Sequence, residues 1–174
     1  MSEKNRRIVL AARPVGDIKD SDFRYEEVEI HPPGDGEVLL RNGYLSLDPA
    51  MRGWMNDRKS YVPPVQIGEA MRGGTISQVV ASNAEGFAPG DLVHAMGGWQ
   101  DYTVISAADS ARLMKLPAGT GLPPSYFLSV LGITGLTAYF GLLDVGQPKE
   151  GETVVVSTAA GAVGSVVGQI AKLK

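Results

Sequence analysis

The residues with most chemical content lie in the run TVVVSTAAGAVGSVVGQIAKLK, Thr153 to Lys174. Within it, Ala159-Ala160-Gly161-Ala162-Val163-Gly164 fits the dinucleotide fingerprint G-x-G-x-x-G with alanine in the first position. In that pattern the second glycine lets the backbone approach a pyrophosphate, and the third allows a helix to pack closely. Free N–H groups and the positive dipole end of the helix then hold the anion. The six residues alone fit a simple packing turn equally well. Their flanks favour a cofactor turn. Thr153–Ser157 is a β-branched run that predicts a buried strand, and Val163, Val166, Val167, Ile170 and Leu173 recur at helical spacing. Gly161, Ala162, Val163 and Gly164 are therefore the candidate cofactor-binding residues.

Other chemistries find little support. The chain has no cysteine, which excludes disulfides and thiolate metal sites, and its two histidines, His31 and His94, are far apart in sequence. A net charge of −3 with no basic run leaves no electrostatic footprint for nucleic acid. Thr153 to Ala171 is uncharged, yet its glycine, alanine, serine and threonine content is too high for a membrane span, and Pro117, Pro123 and Pro124 interrupt the other uncharged stretch. MSEKNRRIVLAARP lacks the apolar core of a secretory signal. These features predict a cytoplasmic protein with no nucleic-acid or membrane partner.

The elements that must carry the turn follow from periodicity. Arg7–Ala12, Phe23–Ile30, Glu37–Tyr44, Thr75–Ala81, Asp91–Met96 and Asp101–Ser106 read as short strands, separated by Pro32-Pro33-Gly34-Asp35-Gly36, Gly73-Gly74, Pro89-Gly90-Asp91 and Gly97-Gly98. Asp48 and Pro49 predict a short helix, as its N-cap and first helical residue. From Pro123 the pattern becomes helical: Ser125–Leu131 and Thr134–Leu143, capped by Ser125 and Thr134, lead through Asp144–Gly151 to the strand. The expected class is α/β overall, with a β-rich domain over 1–122 and the opening of a cofactor domain over 123–174. One strand and one helix do not complete a dinucleotide site, which needs βαβαβ, and the residue that would select NADP over NAD is expected about 20 residues past the turn. The chain thus reads as cut inside a cofactor domain.

NGYLSLDPAMRGWM (Asn42–Met55), GITGLTAYFGLLDVGQPKEGETVVVS (Gly132–Ser157) and AAGAVGSVVGQIAKLK (Ala159–Lys174), in that order, closely resemble the zinc-independent medium-chain dehydrogenases/reductases. The similarity is to the branch of the leukotriene B4 dehydrogenase/prostaglandin reductases, the plant double-bond reductases and the curcumin reductases. This resemblance implies a GroES-like catalytic domain, then a Rossmann domain of which the chain holds only the first βα unit. It further implies NADP(H) as cofactor, a small enone or enal as substrate, a homodimer at full length, and reduction of the conjugated C=C bond. Where zinc-dependent relatives need Gly-His-Glu, this chain reads Gly68-Glu69-Ala70, so no metal is expected. It departs from the plant enzymes at Ala50, where their motif has tyrosine; the phenol is lost and that part of the cleft widens.

Conjugate reduction asks the protein for positioning and for stabilisation of an enolate. No triad or carboxylate pair is expected, and no catalytic residue is identified. Ile133 and Thr137 match positions near the nicotinamide in relatives, and read equally as helix residues packing on a sheet. Tyr44, Ala50, Arg52 and Tyr61 are candidates to line the substrate cleft, the alternative for the tyrosines being amphipathic packing. Trp54 and Trp99 read as core or rim aromatics. Two functions remain: an enone reductase realised in the full-length protein, and a non-catalytic GroES-like unit that binds a partner. The chain by itself is expected to lack turnover.

Overall fold

Turn residues punctuate the first half of the chain, and antiparallel strands form between them. The computed structural model describes residues 3–174, and the chain divides into two units, Met1–Gly119 and Thr120–Lys174. In the first, β1 (Lys4–Leu10) and β2 (Phe23–Glu29) make a hairpin with Lys4 opposite Glu29 and Leu10 opposite Phe23. A second sheet has the order β6-β3-β4-β5-β7, from β3 (Val38–Leu45), β4 (Thr75–Ser82), β5 (Leu92–Ala95), β6 (Tyr102–Ile105) and β7 (Met114–Lys115). The six strands expected from alternation are all present, shifted by a few residues at their ends. The expected α/β class with a β-rich first part is found.

Alternation decides which side chains enter the core. Val38 and Leu40 of β3, Val79 of β4, Val93 and Ala95 of β5 and Ile105 of β6 bury one face of the sheet. A second cluster joins the hairpin to the loops: Leu10, Met51, Met55, Val65 and Met71, flanked by Phe23, Trp54 and Trp99. It seats α1 (Ala50–Trp54), a helix too short to persist without such burial. Asp48 does not cap α1 through its side chain as expected; its carbonyl accepts from Met51 N–H at 3.0 Å, and Pro49 occupies the cap. The short helix α2 (Ala107–Ser110) was not foreseen, although Ser106 caps it by accepting from Asp109 N–H at 3.2 Å.

The second unit is helical, and here expectation and structure part. Pro124–Leu128 is a 3₁₀ turn entered from Pro123, so Ser125 is not its cap. α3 (Ile133–Phe140) starts from Gly132; Thr134 instead donates from Oγ1 to Ser129 O at 2.9 Å. The chain then widens into a π-helical turn over Gly141–Gly146 and ends in α4 (Ala162–Leu173). Thr153–Ser157 forms no ladder, which corrects the expected strand of a βα unit. A strand exists only when its N–H and C=O groups meet a neighbour, and among the described residues the second unit contains no other strand. Val155 is 90% exposed as a result.

One titratable group is displaced by this packing. His94 stands between its cross-strand partners Ile76 and Met114, and burial lowers its pKa from the ordinary 6.5. The unfolded chain therefore binds a proton at a pH where the folded one does not. Stability contributed this way is complete above the unfolded pKa and falls as pH drops below it. We expect the denaturation midpoint to decline between about pH 7.5 and about pH 5.5, and His94→Gln to flatten that decline. An unaltered slope in His94→Gln contradicts this account.

Candidate functional site

Tyr44 and Leu45 end β3, where the register shifts between Asn42 and Tyr44 and turns the strand outward. Facing them is the turn Gly97–Gln100, which carries Trp99. Between the two lies a cleft of about 350 Å³, lined also by Ile8, Tyr25, Arg6 and Asp101. Its apolar side is Trp99, Leu45 and Ile8. At the rim, Arg6 pairs with Asp101 through Nε and Nη2. Tyr25 donates its O–H to Glu27 at 2.7 Å, and this bond holds the phenol above its usual pKa. Glu26 on the same strand is kept below the usual carboxylate range by hydrogen bonds from Arg24 and then Arg7.

Three features fix Trp99 as a wall. Its N–H donates to Met71 O at 2.8 Å, its C=O accepts from Ile8 N–H at 2.8 Å, and its ring stacks on Phe23 with centroids 5.8 Å apart. Gly73 lets the neighbours converge: a Cβ there would meet Leu45 Cδ1 at 2.7 Å, Met51 Cε at 3.0 Å and Trp99 Cδ1 at 3.4 Å. The indole N–H of Trp99 is buried and is the one such side-chain donor without a partner among the described residues.

Of the candidate substrate residues, only Tyr44 lines this cleft. The others gather around α1. Arg52 donates to Asn56 Oδ1 at 2.8 Å, Gly16 O at 2.8 Å and Pro14 O at 3.4 Å, which ties α1 to the loop after β1. Tyr61 is 77% exposed and accepts from Trp54 Nε1 at 3.0 Å, while the Arg72 guanidinium covers the Trp54 ring at 5.6 Å. Ala50 is exposed at the first turn of α1. Arg13, which sequence reasoning passed over, donates to Met55 O at 2.7 Å and Val65 O at 3.0 Å, and so holds the end of α1. Trp54 and Trp99 both flank the apolar cluster, in line with their reading as core or rim aromatics.

The second unit holds the glycine turn. Gly161 has φ −76° and ψ 170°, its N–H donates to Thr158 O at 2.8 Å, and Thr158 takes the left-handed φ of 54°. The first bond of α4 runs from Ser165 N–H to Gly161 O at 2.9 Å. No side chain among the described residues caps this helix, and the amides of Ala162, Val163 and Gly164 have no hydrogen-bond partner there; Ala162 is exposed and Val163 partly so. Gly164 is buried, and a Cβ there would run into Thr158 O and come within 3.0 Å of Ala159 Cα. The donor set of an anion-binding helix start is therefore present, on a turn that tolerates no side chain at Gly164. Ile133 is 72% exposed, and Thr137 spends its hydroxyl on Ile133 O at 2.6 Å within α3.

No helix among the described residues is long and apolar enough to cross a membrane, and none of their His, Asp and Glu side chains form a group of three able to hold a metal ion. Comparison with known proteins gives a consistent picture. Residues 6–115 match the family model described as the N-terminal domain of oxidoreductase. The chain is 55% identical over 172 residues to the NADPH-dependent curcumin reductase of Escherichia coli K12, covering 99% of this chain and 49% of that protein. It is 39% identical to a tobacco 2-alkenal reductase (NADP(+)-dependent), covering 97% of this chain and 50% of the relative. The crystal structure of CurA in complex with NADPH from Vibrio vulnificus superposes with a TM-score of 0.87 at 53% identity, over 97% of this chain and 49% of the other. The chain thus spans about half the length of the curated relatives it matches. The matched domain, the order of the elements and these relatives place it in one family: the chain belongs to the zinc-independent medium-chain dehydrogenases/reductases.

Proposed function

We propose that the whole protein reduces the C=C bond of α,β-unsaturated ketones and aldehydes with NADPH. The observation that carries this reading is the uncapped start of α4, where three successive amides after the glycine turn have no hydrogen-bond partner among the described residues, the donor set a pyrophosphate would use. On this reading 1–122 is a GroES-like substrate domain, 123–174 opens a Rossmann domain, and the complete protein is a cytosolic homodimer. The E. coli and tobacco relatives, named for curcumin and 2-alkenal reduction with NADP cofactors, support the substrate class.

NADPH, when bound, supplies the hydride that reaches the β-carbon of the substrate. This chain's residues hold and orient. The backbone N–H groups of Ala162, Val163 and Gly164 would hold the NADPH pyrophosphate. Trp99, Leu45 and Ile8 present an apolar wall that orders the enone and keeps water from its reacting face, with Tyr44 opposite. The charged groups of the cleft are engaged, Arg6 with Asp101 and Arg7 with Glu26 at 2.7 Å. No carboxylic acid or imidazole lines the cleft free of such a pair, and on this reading the α-carbon takes its proton from water.

The test is an assay of the whole protein with NADPH and a simple enone, following the loss of nicotinamide absorbance. Turnover that persists after chelation, with no stoichiometric zinc by elemental analysis, is the expected result, because thiolates are lacking and His31 and His94 have no partners that would complete a tetrahedral site. One tightly held zinc per chain, or no turnover with any enone, rejects the proposal.

A further inference from the structure

A polar cluster runs from the floor of the cleft, which Asn42 and Gln100 also line, into the sheet, and Asn42 is its centre. The Asn42 amide donates from Nδ2 to Gln100 O at 2.7 Å, with longer contacts to Thr103 Oγ1 at 3.2 Å and Gly97 O at 3.3 Å. Carbonyls only accept, so the amide nitrogen must face them, and Oδ1 is left for Ser77. Ser77 Oγ donates to Asn42 Oδ1 at 2.7 Å. Its single hydrogen being used, Ser77 accepts from Thr75 Oγ1 at 2.8 Å, and Thr75 in turn accepts from Gly97 N–H at 3.2 Å. The Gly97 carbonyl also receives Thr103 Oγ1 at 2.6 Å and Gln100 Nε2 at 2.9 Å. Both polar groups of the Gly97 peptide and the Gln100 carbonyl are therefore fixed by one network. Thr75 and Ser77 within it are fully buried.

The network joins two pieces of chain that carry the substrate cleft. Asn42 lies on β3 two residues before Tyr44. The turn it holds carries Trp99, the opposite wall. Gly97 leaves no room for a side chain, since a Cβ there would overlap Asn42 and come within 2.6 Å of Thr75 Oγ1. Resting on the reductase reading above, we propose that Asn42 is a positioning residue: its amide sets the distance between the Tyr44–Leu45 strand end and the Trp99 turn, and so the fit of the enone.

Asn42→Asp tests this with almost no change of shape. As a carboxylate it puts an acceptor oxygen in the place of Nδ2, against the Gly97 and Gln100 carbonyls, while its other oxygen keeps the bond from Ser77, and the turn moves away. Burial and those carbonyls favour the protonated form, which restores one donated bond at acid pH. In the whole protein, kcat/KM for an enone should fall by about tenfold to a hundredfold at pH 8 and recover in part at pH 6, since small misplacements at a reacting centre have effects of this size. NADPH affinity should be unchanged. Hydrogen exchange over residues 96–103, read relative to the wild type at each pH, should rise at pH 8 and return at pH 6. If Asn42→Asp does not fold, Thr103→Val removes the 2.6 Å bond to Gly97 and should give a smaller loss with the same localised exchange.

Wild-type kcat/KM in either variant overturns the proposal, whether or not the turn exchanges faster. So does a loss of NADPH binding and of global stability in step with activity, which would make Asn42 a general structural residue. Absence of enone turnover in the wild type defeats the reductase reading instead. The exchange over residues 96–103 then still decides whether Asn42 holds the turn.

Discussion

Gly161→Val is expected to abolish NADPH binding by the whole protein while leaving its melting temperature nearly unchanged. The backbone at Gly161, φ −76° and ψ 170°, lies in the extended region that valine prefers. The added Cβ meets Thr158 Cγ2 and Thr158 O at 3.1 Å, so a methyl and a turn carbonyl must give by a few tenths of an ångström. The γ-methyls then stand in front of the Ala162, Val163 and Gly164 amides, in the space a pyrophosphate needs. Losing two charge-assisted bonds at about 1.5–3 kcal/mol each lowers affinity by about a hundredfold or more. Gly164→Val serves as the contrast. Its Cβ runs into Thr158 O and Ala159 Cα, both backbone, so the turn itself must open and stability should fall with binding. Titration of NADPH by nicotinamide fluorescence and a thermal melt separate the two. Unaltered NADPH affinity in Gly161→Val removes the glycine turn as the cofactor site.

Much of the first unit was legible because antiparallel strands announce themselves locally. In β5, Val93 and Ala95 alternate with Leu92 and His94, and Pro89-Gly90-Asp91 marks the turn before them. β7 escaped because two residues cannot show a period; it forms because Val93 and His94 offer an open edge. Thr153–Ser157 failed in the opposite sense. Its residue types suit a strand, yet a ladder depends on a neighbour that no local pattern supplies, and here the segment stays unpaired.

The site divides along the same line. The geometry of the glycine turn was readable because glycine spacing reports backbone. The cleft was not. Tyr44 was named, but Trp99 was assigned only to core or rim, and Asn42 was quoted in a motif without a role. One signal was available for Asn42: a residue depleted in strands sits in one, on the side opposite the turn Gly97-Gly98. The ties of Arg52 were illegible for a related reason: its guanidinium donates to Asn56 one helical turn away and to Pro14 and Gly16, which are distant in sequence and adjacent only once α1 has docked.

Leu10→Ala is expected to be the most destabilising single change in the first unit, and it should loosen α1 before anything else. Leu10 is fully buried at the end of β1 and packs with Met51, Met55, Val65 and Met71. Its backbone is committed on both sides, donating to Glu69 O at 3.0 Å and accepting from Gly68 N–H at 2.8 Å, so the strand does not shift to fill the void. Removing a leucine side chain from such a site costs about 2–5 kcal/mol, which for a unit of this size lowers the melting temperature by about 10 °C or more. Besides this cluster, α1 is held by the Arg13 bonds to Met55 and Val65, the Arg52 bonds, the Val65 N–H bond to Trp54 O at 2.9 Å and the exposed contacts of Trp54 with Tyr61 and Arg72. Its amides should therefore exchange at lower protection than those of β3 or β4. Leu10→Met, which nearly conserves volume, should cost under about 1.5 kcal/mol, and Leu92→Ala, at a site 37% exposed, should fall well below the Leu10→Ala effect. A melting temperature for Leu10→Ala within a degree or two of wild type means that the second cluster is not what seats α1, and the polar ties through Arg13 and Arg52 must then carry it.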